Sequence, residues 1–228
     1  MKTIVCPTAA ALVEEVSGAL IDAVQLTSHA PFAVALSGGS TPKQLYRALA
    51  MSPLIDWSRV ELFFGDERAV PPTHPDSNFR MVKEALLDHA PAIAHRMQAE
   101  EGDAEGYERL LRSRIKPQRD GVPVLDLVLL GVGPDGHTAS LFPGAPELQE
   151  QKALVVIDAE PHLGTRRMSI TLPLINAARR VWILAAGADK AAILRQVKGV
   201  AGPLPIQQVN PTGGELVWWL DEAAARPG

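Results

Sequence analysis

The sequence predicts a doubly wound α/β domain built on a mostly parallel sheet. Two patterns predict it. Short, almost continuously apolar runs alternate with stretches of helical periodicity, and the four longest runs each lead into a turn that contains glycine. Strands covered by helices on both faces read as unbroken apolar runs, whereas half-exposed strands alternate.

Ile4-Val5-Cys6 reads as the first strand. After Pro7, Thr8 is placed to cap a helix with apolar residues at Leu12, Val13, Val16, Ala19, Leu20, Ala23 and Val24. Glu14, Glu15 and Asp22 fall mostly on its other face. Phe32 to Leu36 forms the next strand and turns through Ser37-Gly38-Gly39-Ser40 into a helix expected over Pro42 to Ala50. Thr41 with Gln44 makes a capping box there, and Pro42 suits the first helical position. Val60 to Phe64 is followed by Gly65-Asp66-Glu67-Arg68, and helices are expected over Ser77 to His89 and Asp103 to Ile115. Leu125 to Leu130 leads into Gly131-Val132-Gly133-Pro134-Asp135-Gly136-His137. Leu154 to Ile157 and Met168 to Leu172 are weaker strand candidates. Val181 to Ala186 runs into Gly187-Ala188-Asp189-Lys190, and helices are expected over Asp189 to Val197 and Gly214 to Ala224. With no repeat, low-complexity segment or linker, residues 1–228 read as a single domain.

The 46% hydrophobic content and 228-residue length suit a packed core that needs no disulfide or metal staple. Cys6 is the one cysteine, so no internal disulfide forms, which suits a reducing cytoplasm. Glu14 and Glu15 interrupt the first apolar stretch, which argues against a signal peptide. The longest uncharged stretch, Ala23 to Pro42, carries two prolines and two glycines and does not suit a membrane span. A net charge of −4 argues against a general nucleic-acid binder, yet leaves room for a local anion site.

In an open parallel sheet the carboxyl ends of the strands share one edge, and ligands bind there. The glycine-bearing turns are therefore expected to meet. Gly38, Gly39 and Ser40 precede a helix start, where free N–H groups suit an anion, although such a turn is also an ordinary strand-to-helix joint. Lys190 falls in a first helical turn, where a cation is disfavoured unless an anion sits beside it; a solvated lysine tolerates the same small cost. Arg166 and Arg167 precede a strand; either could grip phosphate through two parallel hydrogen bonds, but spacing alone favours a surface pair. Arg179-Arg180 read as solvated. Asp66, Glu67 and Arg68 end a core strand and are suited either to orienting a substrate or to pairing with each other. Of the six histidines (His29, His74, His89, His95, His137 and His162), only His137 sits in a glycine-rich turn after a long buried strand. It is the candidate general base, with Asp135 placed to set its tautomer; hydrogen bonding within the turn is the plainer alternative.

Three other chemistries fail on the sequence. Gly131-x-Gly133-x-x-Gly136 matches a dinucleotide fingerprint, but Pro143, Gly144 and Pro146 forbid the long crossover helix it requires. There is no G-x-S-x-G elbow. No Cys/His cluster has metal-site spacing, His74 with Asp76 being too little, so neither metal nor cofactor is expected.

Five segments together resemble the 6-phosphogluconolactonases: Leu36 to Pro42; Phe64 to Pro71 with His74 to Asn78; Leu130 to Pro143; Ile170 to Pro173 with Asn176 to Ala178; and Pro211 to Leu216. The resemblance runs nearly end to end. It implies a Rossmann-like, three-layer α/β/α fold shared with sugar-phosphate isomerases and glucosamine-6-phosphate deaminases. It also implies hydrolysis of 6-phospho-D-glucono-1,5-lactone, the second step of the pentose phosphate pathway, by a cytoplasmic enzyme. The implied base is His137, with Arg167 and Lys190 holding phosphate; Gly38, Gly39, Ser40, Asp66, Arg68, Gly133 and Asp135 are expected to bind the substrate with them. Arg166 has no counterpart. The implied partner is a small phosphorylated lactone, with no nucleic acid or membrane, and the chain is expected as a monomer or small homo-oligomer. The deaminases carry a glutamate shortly after their D-G-H, where this chain has Thr138-Ala139-Ser140-Leu141-Phe142-Pro143. A sugar-phosphate sensor would need a DNA-binding helix pair for which this chain has no room.

Overall fold

A computed structural model describes residues 1–116, 118–158, 164–198 and 201–226. In the first half the elements are β1 (Lys2–Cys6), α1 (Ala9–Leu26), β2 (Phe32–Leu36), α2 (Ser40–Ala50), β3 (Val60–Phe64), β4 (Asp66–Arg68), α3 (Asn78–Val82), β5 (Ile93–His95) and α4 (Ala104–Arg114). A small hairpin of β6 (Gln118–Arg119) and β7 (Val122–Pro123) leads to β8 (Leu127–Leu130), β9 (Val155–Ile157), β10 (Arg167–Ile170) and α5 (Leu172–Ala177). The chain closes with β11 (Arg180–Ala185), α6 (Ala191–Val197), β12 (Glu215–Asp221) and α7 (Glu222–Ala225).

The apolar runs assemble as one parallel sheet of seven strands, ordered β1-β12-β11-β8-β2-β3-β5. Every residue of β2, β3 and β8 is buried, which is why those runs carry no alternation. From β2 the chain proceeds to β3 on one side, and from β8 to β11 on the other. Because β2 and β8 are neighbours, the order reverses between them, and a crevice opens beyond their carboxyl ends. Past β3 the backbone bends at Gly65 into a second, antiparallel sheet of β4, β10 and β9, which stands over one wall of that crevice. Gly65 ties the two sheets together: its N–H donates to Leu36 O (2.8 Å), and its own carbonyl accepts from Ile170 N–H (2.8 Å).

Helix α1 buries Leu12, Val13, Val16, Leu20, Ile21, Ala23 and Val24, and Thr8 accepts from Ala11 N–H (3.1 Å) as its cap. Asp103 and Ser77 cap α4 and α3 in the same way. The helix expected over Ser77 to His89 is α3 followed by one wider turn over Lys83–Leu87.

Two expectations need correction. The segment expected as a helix over Gly214 to Ala224 is mainly β12, a central strand between β1 and β11; only Glu222–Ala225 is helical. Leu216-Val217-Trp218-Trp219-Leu220 is buried on both faces, and this β-branched and aromatic run outweighs the helix-forming alanines after it. The capping box at Thr41 is not formed either. Helix α2 begins at Ser40, and its cap is Gly39, at φ 109°, a left-handed-side conformation that a glycine adopts without strain.

Opposite the crevice, Glu61 on β3 accepts hydrogen bonds from Arg114 Nη2 (2.7 Å) and Nε (3.1 Å) at the end of α4, and meets His95 Nε2 on β5 at 2.8 Å. Burial alone would push this carboxyl up, but the hydrogen bonds and charges of Arg114 and His95 hold it below the usual carboxylate range. The folded chain thus binds fewer protons here than the unfolded chain. The stabilisation is complete above the unfolded value of about 4.3 and is lost as pH falls through the folded one. Urea titrations should find Glu61→Gln less stable than wild type at neutral pH, with the gap closing in acid; a gap independent of pH would contradict this account.

Candidate active site

The crevice is a cavity of about 330 Å³ lined by Ser37 to Pro42 after β2, Asp66 and Arg68 of β4, Asn78, Gly131 to Pro134 and His137 to Ala139 after β8, Arg167 of β10, Leu184 and Ala185 at the end of β11, and Ala186, Asp189 and Lys190 after it. Strand-end placement therefore gathers Gly38, Gly39, Ser40, Asp66, Arg68, Gly133, His137, Arg167 and Lys190 on one cavity. Asp135 stands behind His137 rather than on the lining.

The loop carrying His137 is closed by its own backbone: Gly133 N–H donates to His137 O (2.8 Å) and Gly136 N–H to Gly133 O (3.0 Å). This fold-back lays the imidazole over Gly133. A Cβ there would lie 2.1 Å from the ring's Nδ1 and Cε1, so only glycine fits. Asp135 Oδ1 accepts the backbone N–H of His137 (3.1 Å) and stands 2.6 Å from Nδ1. Burial raises the Asp135 carboxyl, but the backbone N–H, charge and side-chain hydrogen bond of His137 outweigh it and bring it below the ordinary carboxylate value. An ionised carboxylate only accepts hydrogen bonds, which assigns the proton to Nδ1 and leaves Nε2 as the basic atom.

Across the cavity, Arg68 and Arg167 are direct cross-strand partners in the β4–β10 register. Like charges placed opposite each other are destabilising. The Nε–H of each is buried and without a hydrogen-bond partner among the described residues. Burial lowers the Arg167 guanidinium from its ordinary value, and the charge of Arg68 lowers it further. Lys190 reaches in from the turn before α6 and donates to Val132 O (3.1 Å). At the start of α2 the first bond of the helix is made by Lys43 N–H to Gly39 O (3.1 Å), so the N–H groups before it face the same opening. Three cations and a helix start thus surround one space, an arrangement that suits a multiply charged anion.

Glu67 plays no part in the cavity. It is buried and accepts from the backbone N–H groups of Arg68, Asn78 and Phe79 and from Ser77 Oγ, fixing the segment before α3. Burial still pushes its carboxyl above the usual value despite those donors. Asp66 accepts from Ser140 Oγ (2.6 Å) and Asn78 Nδ2 (3.2 Å), while Asn78 Oδ1 accepts from Arg68 Nη1 (3.2 Å). Asn78 and Ser140 were not singled out on the sequence, since nothing local marks them. Arg166 turns away from the cavity and donates to Asp158 O (2.8 Å). Arg179 is half-exposed rather than simply solvated, since its Nε stands 3.2 Å from the buried Asp126 carboxylate. His162 lies outside the described residues.

Among the described residues no helix is long and apolar enough to cross a membrane. A family model described as glucosamine-6-phosphate isomerases/6-phosphogluconolactonase matches residues 7–218. The 6-phosphogluconolactonase of Homo sapiens is 42% identical over 213 residues, covering 87% of this chain and 81% of that one. The Haemophilus influenzae 6-phosphogluconolactonase is 36% identical over 237 residues, with 99% of both chains covered. Among solved structures, 6-phosphogluconolactonase from Trypanosoma cruzi superposes with a TM-score of 0.87 at 29% identity, covering 98% of this chain and 95% of that one.

Proposed function

The chain belongs to the glucosamine-6-phosphate isomerase/6-phosphogluconolactonase family, and from that premise we propose that it hydrolyses 6-phospho-D-glucono-1,5-lactone to 6-phospho-D-gluconate with His137 as general base. The observation that carries this reading is the pairing, in one cavity, of an imidazole fixed by Asp135 with two mutually repelling guanidiniums whose buried Nε–H groups lack a hydrogen-bond partner among the described residues.

Arg167, Lys190 and the N–H groups at Gly38, Gly39 and Ser40 hold the phosphate. Binding at that remote handle places the ring ester beside His137 and supplies the orientation. Nε2 takes a proton from water as its oxygen bonds to C1, and the carbonyl electrons move onto oxygen. Arg68 faces the negative charge that develops there. When the intermediate collapses, the bond from C1 to the ring oxygen breaks. The imidazolium returns its proton to that oxygen, leaving a hydroxyl on the open chain and an acid that ionises to solvent.

The phosphate-handle assignment is tested by comparing the phosphorylated lactone with unphosphorylated glucono-1,5-lactone. Arg167→Met should lower kcat/KM for the phosphorylated lactone by about 10–100-fold, as loss of a charge-assisted hydrogen bond implies, and leave the unphosphorylated one within about threefold. Equal loss on both substrates would remove Arg167 from phosphate binding.

A further inference from the structure

We propose that Phe142 is a positioning residue that holds the general base and the anion-binding guanidinium in one fixed relation. The inference rests on the lactonase reading above. The ring of Phe142 is buried. Its centroid lies 4.7 Å from that of the His137 imidazole, the planes tilted by 41°, and Arg167 Cζ stands 5.6 Å from the same centroid. Both functional groups therefore rest on one aromatic ring.

Each of them needs that support. The hydrogen bond from Nδ1 to Asp135 holds one atom of the imidazole but leaves the plane free to swing about that contact. A packed aromatic ring fixes the plane, and with it the aim of Nε2. Arg167 is pushed by Arg68 directly across the strand pair, and the negative face of an aromatic ring attracts a guanidinium. Phe142 thereby keeps Arg167 in place before an anion arrives.

Phe142 is itself anchored to both walls. Thr138 Oγ1 donates to Gly131 O (2.8 Å) at the end of β8, and Leu141 N–H donates to Thr138 O (2.9 Å), closing a tight turn. Ser140 Oγ donates to Asp66 Oδ2 (2.6 Å), and Ser140 N–H to Ser169 Oγ (3.2 Å) on β10. The residue thus rides on a turn pinned to the strand that carries the base and to the sheet that carries the guanidinium. Ring and turn form one rigid spacer.

The test compares Phe142→Leu, which keeps apolar volume but removes the ring, with Phe142→Tyr, which keeps the ring; Phe142→Met replaces the leucine variant if that one does not fold. Per folded molecule, Phe142→Leu should lower kcat by about 10–100-fold, the cost of misaligning reacting groups. It should also weaken inorganic phosphate binding, measured by titration without turnover, by about threefold or more, while Phe142→Tyr recovers both. A purely structural role would lower thermal stability and leave kcat per folded molecule and phosphate affinity unchanged. Values for Phe142→Leu within about twofold of wild type, or equal impairment of Phe142→Tyr, overturn the proposal. If wild type itself hydrolyses no lactone while Phe142→Leu still loosens phosphate, the lactonase reading falls and the spacer stands.

Discussion

His137→Ala lowers kcat for the phosphorylated lactone by about 10²–10⁴-fold, the usual worth of a positioned general base, and leaves affinity for 6-phosphogluconate within about threefold. The two halves of this expectation come from different residues. In the proposed assignment the phosphate is held by Arg167, Lys190 and the start of α2, none of which is hydrogen-bonded to the imidazole. The base is used only once the lactone is in place, so its removal costs rate rather than binding. Steady-state kinetics with calorimetric product binding separates the two. A variant with weakened product affinity and near-normal kcat would assign His137 to binding instead.

A smaller change in the same loop should cost nearly as much. Gly133→Ala adds a single methyl group, yet that carbon would stand 2.1 Å from Nδ1 and Cε1 of His137. The imidazole has to leave its bond to Asp135, or the loop has to open the Gly133–His137 backbone bond, and either displaces Nε2 by an ångström or more. Misplacement on that scale costs about 100-fold in rate. The cavity is otherwise untouched, so product affinity and melting temperature should change little. The alanine variant retaining full activity, with the imidazole still on Asp135, would show that the loop yields more easily than its hydrogen bonds indicate.

The architecture was largely legible because burial on both faces leaves a plain signature. Phe32–Leu36 and Val60–Phe64 stand as strands with the expected bounds. The run expected from Leu125 starts at Leu127 instead, because Asp126 is committed to Ala33 N–H, His29 and Arg179. Leu216 to Leu220 carries the same signature and was misread, because the alanine-rich residues after it extend a helical pattern backwards across the strand. Short runs of either kind are told apart by neighbours in space.

The site divides in the same way. Gly38 to Ser40, His137 and Lys190 are marked by position at strand ends, which the topology alone dictates. Arg167 is not: spacing favoured a surface pair, and only the β4–β10 register shows it buried and facing Arg68. Asn78, Ser140 and Phe142 act through contacts with residues distant in sequence, such as Asp66 and Arg167. Tertiary structure alone assembles such contacts, so no local pattern announces them.

The most direct test is hydrolysis of freshly generated 6-phospho-D-glucono-1,5-lactone by the wild-type protein, coupled to 6-phosphogluconate dehydrogenase with the spontaneous rate subtracted. The account predicts turnover far above that background, with 6-phosphogluconate as the product. A rate equal to the spontaneous one, from folded protein that still binds 6-phosphogluconate, would contradict it.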